Sequence, residues 1–225
     1  MNTGSGDACD LGWKLDAVLS AWGGEGLLDS YERERKPIAV RNSIASASNS
    51  DRIDMVMDET ETDIDRDDAL GEAKRAALTE KLRILSRQFN SAGVPLGYRY
   101  IHSPIIVADD APEPPDDPSQ VSPSTWPGCR APHVWLADGR STLDLFGDGF
   151  VLVRLDEARL GDEDLRTAAD DAGMPLNVVD IRQPDVSALY QRRLVLVRPD
   201  GHVAWRGDYA PGDCAALIER VRGQR

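Results

Sequence analysis

Cysteine is scarce in this 225-residue chain, and its placement is uninformative: Cys9, Cys129 and Cys214 are far apart and odd in number. No CxxC pair occurs, and the three histidines, His102, His133 and His202, are equally scattered. A disulfide framework and a zinc site are both disfavoured, no metal ligands are assigned, and the chain reads as cytoplasmic. Long apolar runs are missing too; none approaches the roughly 20 residues that a spanning helix needs. The opening MNTGSGDACD lacks the basic and apolar regions of a signal peptide. Positive charge is in short supply, with 26 Lys and Arg against 39 Asp and Glu and a formal net charge of -13. Such a surface repels phosphate backbones and anionic lipid, so neither nucleic acid nor a membrane is an expected partner.

What is present is enough apolar residue for a core, 41% of the chain, and a length that suits one large domain or two small ones. Leu11, Leu15, Val18, Leu19 and Trp22 recur at three- and four-residue spacing, which predicts a helix from Asp7 to Trp22 ended by Gly23-Gly24. A second helix is predicted from Gly26. Its Glu32–Lys36 stretch alternates in sign like an exposed face, and Pro37 should kink or break it. The acidic segment after Ser48 reads as a fraying helix and then a loop. A third helix, Leu70 to Ala92, carries the stripe Leu78, Leu82, Leu85, Phe89 and stops at Gly93. LGYRYIHSPIIV then reads as a strand.

Residues 108–128 hold six prolines and five acidic residues, a composition that favours extended backbone. The expected division is therefore 1–108, a linker at 109–128, and a second domain at 129–225. In that domain the order is strand (PHVWL), strand (GFVLVRL), helix, strand (PLNVVDI), helix, hairpin (LVLVRPDGHVAWRGD), helix. Parallel strands joined through a helix and completed by a hairpin give the mixed sheet of a thioredoxin-like domain. The fold class is α/β, with a mostly helical first part plus a strand.

The first 37 residues carry a more specific pattern. Asn2, Gly4, Asp7, Ala8, Leu11, Trp13, Lys14 and Leu15 match the spacing N-x-G-x-x-D-A-x-N-L-x-W-K-L, with Asp10 where Asn is usual. Leu27, Leu28, Tyr31, Glu34, Arg35 and Pro37 match L-L-x-x-Y-x-x-E-R-x-P. Together these resemble the section after the flavin-contacting GD motif in the para-hydroxybenzoate hydroxylase class of FAD monooxygenases. QFNSAGVPLGYRYIHSPIIV is similar to the strand closing their substrate domain, and the residues beyond Gly128 to their appended thioredoxin-like domain. The resemblance implies a flavin-dependent aromatic-ring hydroxylase using FAD, NAD(P)H and oxygen on a phenolic or polyketide ring. It also implies that Met1 and Asn2 lie at the pyrimidine edge of the flavin, where helix N-terminal amides suit negative charge. An N-cap role for Asn2 fits the same residue.

No GxGxxG occurs, so a pyrophosphate cradle is not expected; Gly23-Gly24-Glu25-Gly26 reads as a helix stop. The resemblance places the missing motifs upstream, which makes the chain a fragment, inactive in isolation. No residue presents itself as a catalytic acid or base. His133, His202 and Asp180 lack a serine elbow; His202 reads as a hairpin-tip residue, and Arg99 and Tyr100 as core or pocket residues. The helix position where a thioredoxin needs its cysteine holds LDEARLGDED, so a stand-alone redox protein is disfavoured. The other rival is a non-catalytic assembly module that forms a homo-oligomer or docks on a separate flavoprotein.

Overall fold

The computed structural model describes residues 2–58, 63–85, 90–156 and 160–224. Helices α1 (Asn2–Leu19), α2 (Gly26–Asp58), α3 (Ala69–Leu85) and the single turn α4 (Gly93–Leu96) form the first half. The second half runs β1 (Phe150–Arg154), α5 (Asp162–Asp171), β2 (Leu176–Asp180), α6 (Pro184–Tyr190), β3 (Leu194–Val197), β4 (Val203–Gly207) and α7 (Cys214–Val221). The sheet order is β2-β1-β3-β4, with β1 parallel to β2 and the other pairings antiparallel. This is the thioredoxin-like arrangement expected from the alternation of strands and helices.

Strand alternation distributes the core to two faces. Phe150, Leu152, Leu194 and Leu196 face α1, α5 and α7, while Val151, Val153, Val195 and Val197 face α6 and the 131–146 segment. A register irregularity at Leu196/Val197 lets consecutive Ala204 and Trp205 both join the α1 side. That core includes Ala17, Trp22 and Leu27 from the helical half, with the Trp13 and Trp22 rings edge-on to Phe150 at 6.0 and 6.2 Å. The two halves thus share one apolar core.

The glycine cluster at 23–26 does more than stop a helix. Gly24 N donates to Arg222 O and Gly26 N to Gly223 O, seating the end of α7 against the α1–α2 turn. A Cβ on Gly24 would stand 2.3 Å from the Gly223 carbonyl oxygen, so only glycine permits this approach.

Several local expectations change in the structure. α2 runs through Pro37 to Asp58. The break that proline favours is overridden by anchors on both sides: Arg35 bonds Asp7, and Arg41 bonds Asp116 and the carbonyls of Gly93 and Val94. Gly93 begins a helical turn instead of ending one. The expected strand at 96–107 is reduced to the bridge Arg99–Cys129, and PHVWL to the bridge Trp135–Ser141, because neither segment lies alongside a free sheet edge for long. Of the α3 stripe, Leu78 is half-buried and Leu82 exposed, while Phe89 and the Leu85 side chain lie outside the described residues.

The proline-rich segment is fastened at intervals. Arg206 pairs with Asp109, Trp126 Nε1 donates to Ala111 O, and buried Thr125 donates to Tyr190 O at 2.5 Å. Because one core serves both halves, Phe150→Ala is expected to destabilise helices and sheet together by about 3–5 kcal/mol. Urea titrations followed by far-ultraviolet dichroism and by tryptophan emission should then keep coincident midpoints. Separated transitions would show two independent cores.

Candidate functional site

The inner face of α1 is not its leucine stripe. Leu15 is 41% and Leu19 83% exposed, whereas Asp10, Lys14 and Ala17, three and four residues apart, are wholly buried. α2 matches it by burying Leu27, Ser30, Glu34, Arg35 and Ile38. The Glu32–Lys36 stretch is therefore split. Glu32 and Lys36 pair with each other in solvent at 2.7 Å, but Glu34 and Arg35 point into the protein.

These polar faces meet a third element. Arg198 continues the alternation of Leu194 and Leu196 one step past β3, which aims it at α1 and α2. Its Nη1 donates to Glu34 at 2.7 Å, and its Nη2 to Asp10 at 2.9 Å, Glu34 at 3.0 Å and Asp200 at 2.6 Å. Its Nε reaches Asp200 at 3.1 Å. Lys14 bridges Asp10 at 2.8 Å and Glu34 at 2.6 Å, and Ser103 donates to Glu34. The guanidinium is flanked by the Trp13 and Tyr100 rings, 5.1 and 5.0 Å from their centroids.

Burial raises the proton affinity of every carboxylate here, but nearby cations decide the outcome. For Glu34, Arg198 and Lys14 outweigh desolvation and hold the carboxyl at about 2. Asp200 is lowered further by Arg198 and His202. For Asp10, desolvation wins, helped by Glu34 and Asp200, and the carboxyl is pushed up to about 7. Arg198 itself is held charged by its carboxylates despite complete burial.

A second cation fixes the start of α1. Arg35 donates to Asp7 at 2.8 Å, to Tyr100 Oη at 3.2 Å and to the Thr3 carbonyl at 3.3 Å. Its guanidinium lies against Gly6, where a Cβ would come within 2.7 Å of it. Asn42 donates to Thr3 Oγ1 at 3.1 Å, and among the described residues its own Oδ1 has no partner. Thr3, Gly6, Arg35, Asn42 and Tyr98 border an open cleft of about 510 Å³ beside this first turn. No acidic side chain occupies that turn. Met1 and the side chain of Asn2 lie outside the described residues; the Asn2 backbone begins α1.

The other sequence candidates are dispersed. His202 is buried, not at an exposed tip, because its ring packs at a tilt against Tyr98 and Tyr100, with centroids 5.3 and 4.3 Å away. Tyr100 is core, and Arg99 pairs with Glu113 at 2.7 Å. His133 bonds Ser141 at 2.7 Å, and Asp180 pairs with Arg154 and Arg182. Among the described residues no group of histidine, cysteine and carboxylate side chains could hold a metal ion, and no helix is long and apolar enough to cross a membrane. Sequence reasoning missed Asp10, Lys14, Glu34, Arg198 and Asp200 as a unit. The available signal was the charged character of motif positions in otherwise apolar helical faces.

A thioredoxin-like sheet, closed against a helical arm through buried charge, defines a class of appended domain, and comparison with known proteins places it. Residues 124–224 match the family model described as "Aromatic-ring hydroxylase, C-terminal", and residues 1–45 match "FAD binding domain". The two parts of the chain are thus similar to the corresponding parts of FAD-dependent aromatic-ring hydroxylases. The chain is 37% identical over 218 residues to the FAD-dependent monooxygenase apdD of Emericella nidulans, covering 92% of this chain and 35% of that protein. It is 33% identical to the tetracenomycin A2 monooxygenase-dioxygenase of Streptomyces glaucescens, covering 98% and 38%. Among solved structures, the rebeccamycin biosynthetic enzyme RebC with reduced flavin superposes with a TM-score of 0.90 at 43% identity, over 100% of this chain and 42% of that one. The chain thus spans well under half the length of these relatives.

Two outcomes check this site. Arg198→Met leaves three buried carboxylates sharing Lys14 and is expected to destabilise the fold by about 3–5 kcal/mol, measured by urea denaturation. The Lys36→Ala exchange on the exposed pair should be indistinguishable from the parent. As for the thiols, desolvation pushes Cys129 up to about 11 and raises Cys214, whereas Cys9 is exposed. A thiol-reactive dye should label Cys9 alone in the native chain and all three in denaturant; rapid native labelling of Cys129 would contradict the burial described.

Proposed function

We propose that this chain is the C-terminal part of a flavin-dependent monooxygenase that hydroxylates a phenolic or polyketide ring with oxygen and NAD(P)H, acting in the cytoplasm. The observation that carries this reading is the first turn of α1. It is free of acidic side chains, tied down through Thr3 by Arg35 and Asn42, and open to a cleft. Amides at a helix start attract an electron-rich ligand edge, and the adjacent guanidinium strengthens that attraction. The orphan acceptor of Asn42 suits a ligand N–H. These residues fit one end of a flavin, with Met1 and Asn2 at its pyrimidine edge.

They do not fit the whole cofactor. The sequence has no GxGxxG, and among the described residues no strand passes through a glycine-rich turn into a helix, so other polypeptide must hold the diphosphate. Bound FAD supplies the redox and oxygen chemistry; this chain orients the flavin's edge and closes the assembly, and contributes no catalytic acid or base. In this reading residues 1–108 complete the flavin- and substrate-binding part, 109–128 connect, and 129–225 form the thioredoxin-like domain.

The exposed leucines support a related reading, a module that docks on a separate flavoprotein. Leu15 and Leu19 of α1, with Leu28 of α2, leave an apolar face uncovered. Flavin fluorescence titration separates the possibilities. The chain alone is expected to show no saturable binding in the micromolar range. Co-expression with the FAD-binding region of a relative lacking its own C-terminal part is expected to give a yellow complex, lost in Leu15→Asp/Leu19→Asp. Tight flavin binding by the chain alone would overturn the reading. So would colourless co-expression with folded partners.

A further inference from the structure

The buried cluster at the α1–α2–hairpin junction has one more carboxylate than it has permanent cations, with the His202 imidazole beside Asp200 as the neighbouring titratable group. Asp10, Glu34 and Asp200 share two cations, Lys14 and Arg198, and all five are sealed from solvent. The neighbouring Arg35–Asp7 pair is neutral as a unit. An uncompensated charge is strongly disfavoured in such a place.

Hydrogen-bond supply is uneven as well. Glu34 accepts from Lys14, Ser103 and twice from Arg198. Asp200 accepts twice from Arg198 and once from the His202 amide. Asp10 accepts only one bond from Lys14 and one from Arg198. The second of these comes from Arg198 Nη2, whose two hydrogens are shared among Asp10, Glu34 and Asp200. Asp10 is therefore the carboxylate least compensated for its charge.

We propose that this junction closes with one extra proton held on Asp10, which makes the seating of the C-terminal hairpin on the helical arm proton-linked. The groups facing Asp10 are Lys14 from its own helix, Glu34 from α2, and Tyr100 from the loop at 97–108. The hairpin adds Arg198 and Asp200, with His202 behind them, its Nδ1 3.4 Å from Asp200 Oδ2. A neutral acid at position 10 has nearly the shape of an asparagine side chain, so Asp10→Asn mimics the protonated state without a titratable group.

The direction follows from linkage. Burial raises Asp10 from 3.8 to about 7, so across that window the folded chain holds a proton that the unfolded chain has released. Stability then falls as pH rises through it and levels off above. Glu34 and Asp200 are lowered and act oppositely, losing stability as pH falls below the ordinary carboxylate range, which leaves the upper part of that window to Asp10.

The test is urea denaturation of the full chain at about pH 5.5, 7 and 8.5 for the parent, Asp10→Asn and His202→Gln. The parent is expected to lose up to about tenfold in folding equilibrium constant per pH unit below neutrality, the signature of one proton. Asp10→Asn should flatten that dependence and be more stable than the parent at the alkaline end. A parent with no slope, or Asp10→Asn with an unchanged slope, overturns the proposal. Loss of the slope in His202→Gln alone also overturns it, by placing the proton on the imidazole. Should Asp10→Asn fail to fold, infrared difference spectra of the parent decide. A protonated-carboxyl band lost between about pH 6 and pH 9 supports the proposal, and its absence at the lower pH refutes it.

Discussion

Arg198 is the point at which the two halves of this protein become one. A guanidinium with no solvent around it is tolerable only if its donors are met, and here they are met by carboxylates from α1, α2 and its own turn. The consequence is geometric. The fork fixes the hairpin's position against the helices, which in turn places Trp13 and Trp22 on Phe150 and brings the end of α7 onto Gly24 and Gly26. Apolar contact could bring these surfaces together in several registers. A buried ionic cluster accepts very few.

The same constraint explains why α1 buries Asp10 and Lys14 beside Trp13 and Ala17 while two of its leucines face outward. Asp10 and Lys14 must face Arg198, and the helix period then turns Leu15 and Leu19 outward. An apolar outer face is unfavourable unless something covers it, and relatives more than twice as long supply ample polypeptide to do so. Arg35 performs for the start of α1 what Arg198 performs for its middle. It pins Thr3 and Asp7, so that the first turn presents its amides in a defined direction.

Much of the second half was legible in the sequence. The apolar run GFVLVRL and the apolar residues flanking the turn in LVLVRPDGHVAWRGD set the strands, Pro199-Asp200-Gly201 set the turn, and the amphipathic stretch at 213–222 set the last helix. The family was legible from spacing, because Trp13-Lys14 and Glu34-Arg35 recur at fixed offsets from glycine and proline. Less legible was what those motif residues do. Charges in an alternating run look exposed when only the run is considered, and three of the five are: Glu32, Arg33 and Lys36 meet solvent while Glu34 and Arg35 do not. The expected strand around Tyr100 failed for a related reason. Its aromatics serve the charge cluster and His202 instead of a sheet neighbour.

By itself the sequence determined periodicity, turn positions, the lack of a cysteine pair and of a dinucleotide fingerprint, and the family signature. All of these are properties of short windows, where side-chain spacing and backbone preference act locally. Tertiary structure alone decided which face of α1 is buried, that Pro37 leaves α2 continuous, and that Asp10, Glu34 and Arg198 share one site. The last of these joins residues 164 and 188 positions apart. Whether a charge is exposed or buried depends on what distant chain packs over it, and no local pattern carries that information.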